Sequence, residues 1–256
     1  MVKRVIYSYK ILDKYWKERN DAFYTLARLS VTLAKKHYHT VLYCDKATEA
    51  AFKRKGIEFD EIVYLTSLRQ VNENNYGLAK ILAMQEQTEP YIIIDLDTLL
   101  FEPIFSNHSI TYGYKEADPS KEWGAKYIKE YYLDPYQNFK EDIEVELDWT
   151  TFPSNSLVMV QNPYIVADAY AKILKLIGKD YQRSTVQFYE QMLLYAYLKD
   201  EKVDIGFIYE NPPVTEQQGL YKVNQALSQK FAHFDYYYRQ PSCEILVREL
   251  TKIFVK

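Results

Sequence analysis

Pro90-Tyr91-Ile92-Ile93-Ile94-Asp95-Leu96-Asp97-Thr98 is the stretch on which the fold turns. Proline cannot donate to a strand ladder, so Pro90 marks where a strand begins. The run from Tyr91 to Leu96 shows no polar alternation, the pattern of a central strand covered on both faces. A helix is expected just before it, over 77–87. Upstream, Arg4 to Tyr9, Thr40 to Cys44 and Glu61 to Leu65 read as strands rich in β-branched and aromatic residues. Between them, Asp21 to Lys36 carries Phe23, Leu26, Ala27, Leu29, Leu33 and Ala34 on one helical face, with Asn20 or Asp21 as cap. A shorter helix runs from Ala47 to Lys55 and stops at Gly56.

Strands alternating with helices imply α/β architecture with a mostly parallel central sheet and helices on both faces. Downstream, Ser156 to Val160 is strand-like. Pro163 starts a helix over Tyr164 to Ile177, closed by Gly178. Val186 to Leu198 reads as a helix, Val203 to Tyr209 as a strand, and Cys243 to Phe254 as a terminal helix within 243–256. The segment 115–149 is polar, aromatic and acidic, and reads as an insertion or lid. No repeat or linker divides the chain, so a single domain over 1–256 is expected.

Composition narrows the function classes. With 32 basic and 35 acidic residues and a net charge of −3, the chain offers no basic field for nucleic acid. Its two cysteines, Cys44 and Cys243, match no metal spacing and read as buried thiols in a reducing compartment. The start, MVKRVIYSYK, passes into a strand without a signal-peptide pattern. No stretch nears the roughly twenty apolar residues that span a bilayer. A cytoplasmic protein is expected, with peripheral membrane attachment left open. The 26 tyrosines suit sugar stacking, though most read as ordinary packing and surface residues.

The chemistry sits at the end of the central strand. Ligands of parallel α/β sheets bind beyond the carboxyl ends of the strands, where Asp95 and Asp97 fall. In an extended backbone the two side chains would face one side and share a cation. A hard divalent ion, Mg²⁺ or Mn²⁺, suits such oxygen ligands, bridges to a diphosphate and stabilises it as a leaving group. The bland alternative is a pair of loop aspartates that cap a turn.

In this context the sequence resembles the GT-A glycosyltransferases. Tyr76-Gly77-Leu78-Ala79-Lys80 followed by Pro90 to Asp97 is similar to their helix, strand and metal-binding motif in order. The nearest pattern is the retaining galactosyl- and glucosyltransferase group that includes glycogenin. That resemblance implies a third metal ligand at His233 and a diphosphate contact at Arg239, six positions on, where the family has Lys. It also implies that Lys80 lies near the nucleotide sugar. Ser154-Asn155-Ser156 matches the family's Asn-x-Gly partly, and Glu190-Gln191 its Asp-Gln. Catalytic roles at Asn155, Glu190 and Gln191 follow from the likeness. The glycines expected after His233 and Asn155 are missing.

Each of these residues also has a plainer reading. Asp45 would contact the base or ribose, or else cap the helix near Ala47. Tyr7 and Ser8 would frame uracil, and Lys80 is otherwise a solvated charge. Glu190 and Gln191 would face the acceptor or the anomeric carbon, or else serve the helix dipole. His233 in an apolar setting is otherwise a core histidine. Trp123 and Trp149 would stack on an acceptor sugar or anchor the insertion. The expected activity is sugar transfer from a nucleotide-diphosphate sugar, UDP-linked, to a saccharide or other hydroxyl. Two rivals stand beside it. One is a catalytically silent GT-A-like binding protein. The other is a haloacid-dehalogenase-like phosphatase, which normally needs Thr or Val where Leu99 stands.

Overall fold

The computed structural model describes residues 2–12, 21–72, 76–115, 128–177, 188–210, 230–233 and 241–254. Seven strands form one sheet in the order β3-β2-β1-β4-β7-β6-β8. They are β1 (Arg4–Ser8), β2 (His39–Cys44), β3 (Glu61–Tyr64), β4 (Tyr91–Ile94), β6 (Ile110–Tyr114), β7 (Leu157–Val160) and β8 (Ile205–Tyr209). Strands β5 (Thr98–Leu100) and β9 (Phe231–His233) make a separate antiparallel pair. Helices α1 (Asp21–Ala34), α2 (Lys46–Arg54), α3 (Leu78–Gln85), α4 (Asp134–Phe139), α5 (Pro163–Ile177), α6 (Leu194–Asp200) and α7 (Pro241–Phe254) complete the described elements. No helix among the described residues is long and apolar enough to cross a membrane.

Period-two alternation explains both cores. Tyr91 and Ile93 of β4 point to one face, with Ile6, Val41, Val158 and Val160, and α3, α5 and α6 cover it. Ile92 and Ile94 point to the other face, with Val5, Tyr7, Leu42 and Leu157, under α1 and Leu250 of α7. Tyr91 through Ile94 are at most 2% exposed, which is why this strand lacks alternation in sequence. Each such side chain contributes about 1.5–3 kcal/mol of burial.

The sheet departs from full parallelism at one strand. β7 runs antiparallel to both β4 and β6, while every other pairing is parallel. The reversal has a functional consequence. The start of β7 lies beside the end of β4, with Ile94 opposite Leu157.

The segment expected as an insertion or lid behaves differently over its described second half. Ile128, Tyr132, Phe139 and Leu147 are buried in the first core, and Trp149 packs against it. Residues 116–127, with Trp123, lie outside the described residues. The polar run hides its core positions because a π-helical turn, Lys129–Leu133, shifts the period before α4. Pro135, near the start of α4, has no N–H for the carbonyl four residues back and crowds it, which opens the turn there. Trp149 meets Tyr136 edge-to-face at 5.3 Å and acts as an anchor. Cys44 is a buried free thiol, and burial, followed by the charges of Asp45 and Glu49, pushes it up to about 12.

Candidate functional site

The carboxyl edge of the sheet collects the ends of β1, β2 and β4 with the start of β7. β4 closes at Ile94, and the chain then turns: the Thr98 amide donates to the Asp95 carbonyl at 3.0 Å. Asp95 and Asp97 therefore occupy a tight turn, not the extended backbone that would set both carboxylates on one side. Both are half-buried. The turn is held from three directions. The Asp95 amide donates to the Ser156 carbonyl at 3.0 Å, and the Thr98 hydroxyl donates to the same oxygen at 3.2 Å. From below, Ser30 Oγ donates to the Thr98 carbonyl at 2.5 Å, and Tyr7 Oη lies 3.2 Å from Ser30 Oγ.

Lys80 is the junction of the site. Projecting from α3, its Nζ donates to Asp95 Oδ1 at 2.7 Å and to the Asn155 carbonyl. The Lys80 side chain is 9% exposed against 36% for Asp95, so the pair sits at the boundary of core and solvent. A cation buried this deeply is held by its acceptors. Lys80 is thus not a solvated charge: its ammonium is engaged by Asp95 and the Asn155 carbonyl.

Beyond Lys80 the network continues inward. Asn155 Nδ2 donates to Glu190 Oε2, and Gln191 Nε2 donates to Asn155 Oδ1 at 3.4 Å. The Tyr132 hydroxyl in turn donates to Gln191 Oε1. Glu190 and Gln191, 6% and 2% exposed, lie in a second π-helical turn, Phe188–Leu193, just before α6. There two consecutive side chains reach the same Asn155. The nearby negative charge of Glu190 helps hold the Tyr170 hydroxyl well above the usual phenol range, after burial, which is the larger cause.

The nucleotide-side expectations fare unevenly. Tyr7 is fully buried with its ring edge-to-face on Phe59 at 5.3 Å, so it cannot stack on a base. Burial holds its hydroxyl above the usual range, with the Ser30 hydrogen bond acting against that shift. Ser8 stays at the edge, but its hydroxyl donates to the Ala79 carbonyl at 2.6 Å. Asp45 caps α2, its Oδ1 accepting from the Thr48 amide at 2.8 Å, so the capping reading is realised.

His233 is brought close by its backbone. It pairs with Thr98 in the β5–β9 ladder, so its main chain is one residue from that of Asp97. Opposed residues in such a pair have Cα atoms about 4.5–5.5 Å apart. Gly113 on β6 makes this possible, because a Cβ there would stand 2.9 Å from the Phe231 ring. Phe231 instead lies flat against Tyr114 and anchors β9 on the sheet. The side chain of His233 and the whole of Arg239 lie outside the described residues.

Among the described residues no three His, Cys, Asp or Glu side chains form a metal cage. Asp95 and Asp97 suit a different kind of site: a hard ion held by one or two carboxylates that keeps its remaining positions for water and phosphate. Tyr132 and Ser30, which support this edge, carried no signal in the sequence. Tyr132 lies in a polar run whose period is broken by the π turn, and a lone serine carries no signal.

The sequence matches no family model and no curated protein. Among solved structures, the fold is similar to that of the inositol-1-phosphate CTP transferase from T. maritima. The TM-score is 0.51 at 10% identity, covering 98% of this chain and 97% of that one. A nucleoside-diphosphate-sugar pyrophosphorylase from Vibrio cholerae RC9 aligns with a TM-score of 0.47 at 9% identity, over 81% of this chain and 92% of its own. The first likeness spans the whole chain and is one of fold, a Rossmann-like α/β architecture.

Proposed function

We propose that the protein is a transferase that binds a nucleotide-diphosphate sugar, UDP-linked, and moves the sugar to a saccharide or other hydroxyl acceptor. The observation that supports this most is a convergence. The acid turn of Asp95 and Asp97 and the polar group of Asn155, Glu190 and Gln191 meet on one sheet edge through a single lysine. In this reading Asp95 and Asp97 hold Mg²⁺ or Mn²⁺, with His233 as third ligand. When bound, the ion neutralises the charge that develops on the departing diphosphate. Arg239 contacts that diphosphate, while Ser8 and Asp45 border the nucleotide. Asn155 and Glu190 address the sugar and the acceptor hydroxyl, where a fixed carboxylate stabilises positive charge or takes a proton.

Nucleotidyl transfer, suggested by the CTP transferase with the similar fold, needs a cradle for a triphosphate. Such cradles are glycine-rich turns of successive amides. Here no glycine precedes Gly56, and Lys10, just after β1, already donates to the carbonyls of Leu68 and Val71 at 2.7 and 2.6 Å. Glycosyl transfer is therefore the better reading.

Calorimetry of UDP with Mn²⁺ and with EDTA tests the donor site. Affinity is expected to fall by about tenfold or more without the ion, or about 1.4 kcal/mol. Equal affinity in the two conditions would sink the proposal. A hydrolysis screen over UDP- and GDP-sugars then names the donor.

A further inference from the structure

We propose that Tyr132 is a positioning residue for the transfer reaction, acting through Gln191 and Asn155 to fix the carboxylate of Glu190. This deepens the functional reading above and rests on it. Four side chains form one line: the Tyr132 hydroxyl on Gln191 Oε1, Gln191 Nε2 on Asn155 Oδ1, and Asn155 Nδ2 on Glu190 Oε2.

The direction of the line follows from chemistry at its ends. An unprotonated carboxyl oxygen only accepts, and Glu190 Oε2 takes the amide nitrogen of Asn155. Asn155 then turns its carbonyl oxygen to Gln191, which must offer its own nitrogen. The Gln191 oxygen is left facing Tyr132, and Tyr132 must donate. Each amide flip is set by its neighbour, and the tyrosine proton terminates the sequence.

Tyr132 is itself immobile. It is fully buried, and its ring stacks on Phe152 with centroids 5.2 Å apart. The oxygen and the nitrogen of the Gln191 amide are both engaged, so Gln191 transmits order and Glu190 is the group presented to the reaction. Without the Tyr132 hydroxyl, the Gln191 amide loses a hydrogen bond that sets its flip, and Asn155 loses part of the same constraint.

Tyr132→Phe keeps the ring and its stacking while deleting the hydroxyl. With the donor identified by the hydrolysis screen, kcat should fall about tenfold, the scale of lost orientation without lost binding. The donor KM and the UDP affinity should stay within twofold. Gln191→Leu should act alike, and the double variant should be little worse than the worse single, because the residues act as a unit. In amide-resolved NMR, the Gln191 side-chain NH₂ should exchange slowly with water in the wild type and quickly in Tyr132→Phe. A Tyr132→Phe enzyme with kcat within twofold of wild type overturns the proposal. So does one in which thermal stability and donor affinity fall together with kcat, which marks a packing role. A wild-type protein that turns over no donor overturns the parent reading and this one with it, and is told apart from the other failures by the wild-type assay alone.

Discussion

The two arms of the site differ in how they treat water. The acid turn of Asp95 and Asp97 is half-buried and reaches solvent, and Asp95 meets one ammonium while remaining 36% exposed. The arm of Asn155, Glu190, Gln191 and Tyr132 is closed, with its last three members at most 6% exposed and hydrogen bonds linking one to the next. In the proposed reaction an ion and a diphosphate would exchange with solvent in every cycle, so the groups proposed to bind them have to stay hydratable. A group that orients or takes a proton gains from a dry, fixed setting, where each hydrogen bond is worth more. Lys80 joins the two arms and belongs to neither.

The largest effect that separates the arms is expected at Asp97. Asp97→Asn keeps the shape of the turn and removes a charged oxygen ligand. Turnover should drop by about a hundredfold or more, the scale of losing one placed electrostatic group. The metal-free protein should melt at the wild-type temperature or slightly above, because one of two neighbouring like charges is gone. Paired turnover assays and thermal melts check this. A variant that loses stability in step with turnover would mean that Asp97 serves the fold, and the open arm would lose its function.

Lys80 tests whether the arms are joined. Lys80→Met leaves the Asp95 carboxylate without its ammonium and the Asn155 carbonyl without its donor. Removing one partner of buried polar groups costs about 1–3 kcal/mol, which urea unfolding resolves. The same change should tighten Mn²⁺ binding in the absence of nucleotide, since a positive charge beside the proposed ligand carboxylate is gone and is poorly screened at 9% exposure. Weaker ion binding would mean that Lys80 orders the acid turn more than it competes there.

Legibility in the sequence follows the same division. The parallel half of the sheet was readable residue by residue, because Tyr91 to Ile94 has no alternation and Gly56 ends α2 with a φ of 66°. Asp95 and Asp97 stood out as candidates only because they follow an apolar strand, since a bare Asp-x-Asp serves a turn equally well. The turn that carries them was not readable, because a turn closed by the Thr98 amide leaves no periodic trace. Tyr7 misled for a physical reason: a tyrosine at a strand end is equally suited to an edge and to a core when its hydroxyl finds a serine, here Ser30. The reversal of β7 was invisible too, since pairing direction depends on partners distant in the chain. The core residues of 128–149 were hidden by the π turn, where neither a 3.6 nor a 2.0 period applies.

The smallest expected effect asks whether the closed arm is held shut from outside. Asp148 ties the end of 128–149 to α6, the helix that follows Glu190 and Gln191: Lys199 donates to its Oδ2 at 2.9 Å. Thr150 donates to its Oδ1 through the amide at 2.9 Å and the hydroxyl at 2.5 Å. Burial pushes this carboxyl upward, but the Thr150 hydroxyl, Lys199 and the Thr150 amide together outweigh it and hold it at about 2. The folded value lies below the unfolded one, near 3.9, so the group adds stability above that pH. That stability is lost as pH falls from about 4 to about 2. Lys199 is half-exposed, and solvent screening reduces the tie to about 1 kcal/mol. Asp148→Asn should therefore unfold at lower urea than wild type at pH 7, and the gap should shrink steadily as pH falls from about 4 towards 2. Hydrogen exchange at pH 7 should rise over 128–149 in the variant and stay unchanged at Thr98. A gap between variant and wild type that is constant with pH would show that the carboxylate charge is not what closes the arm. Faster exchange at Thr98 would show that the open arm leans on the closed one.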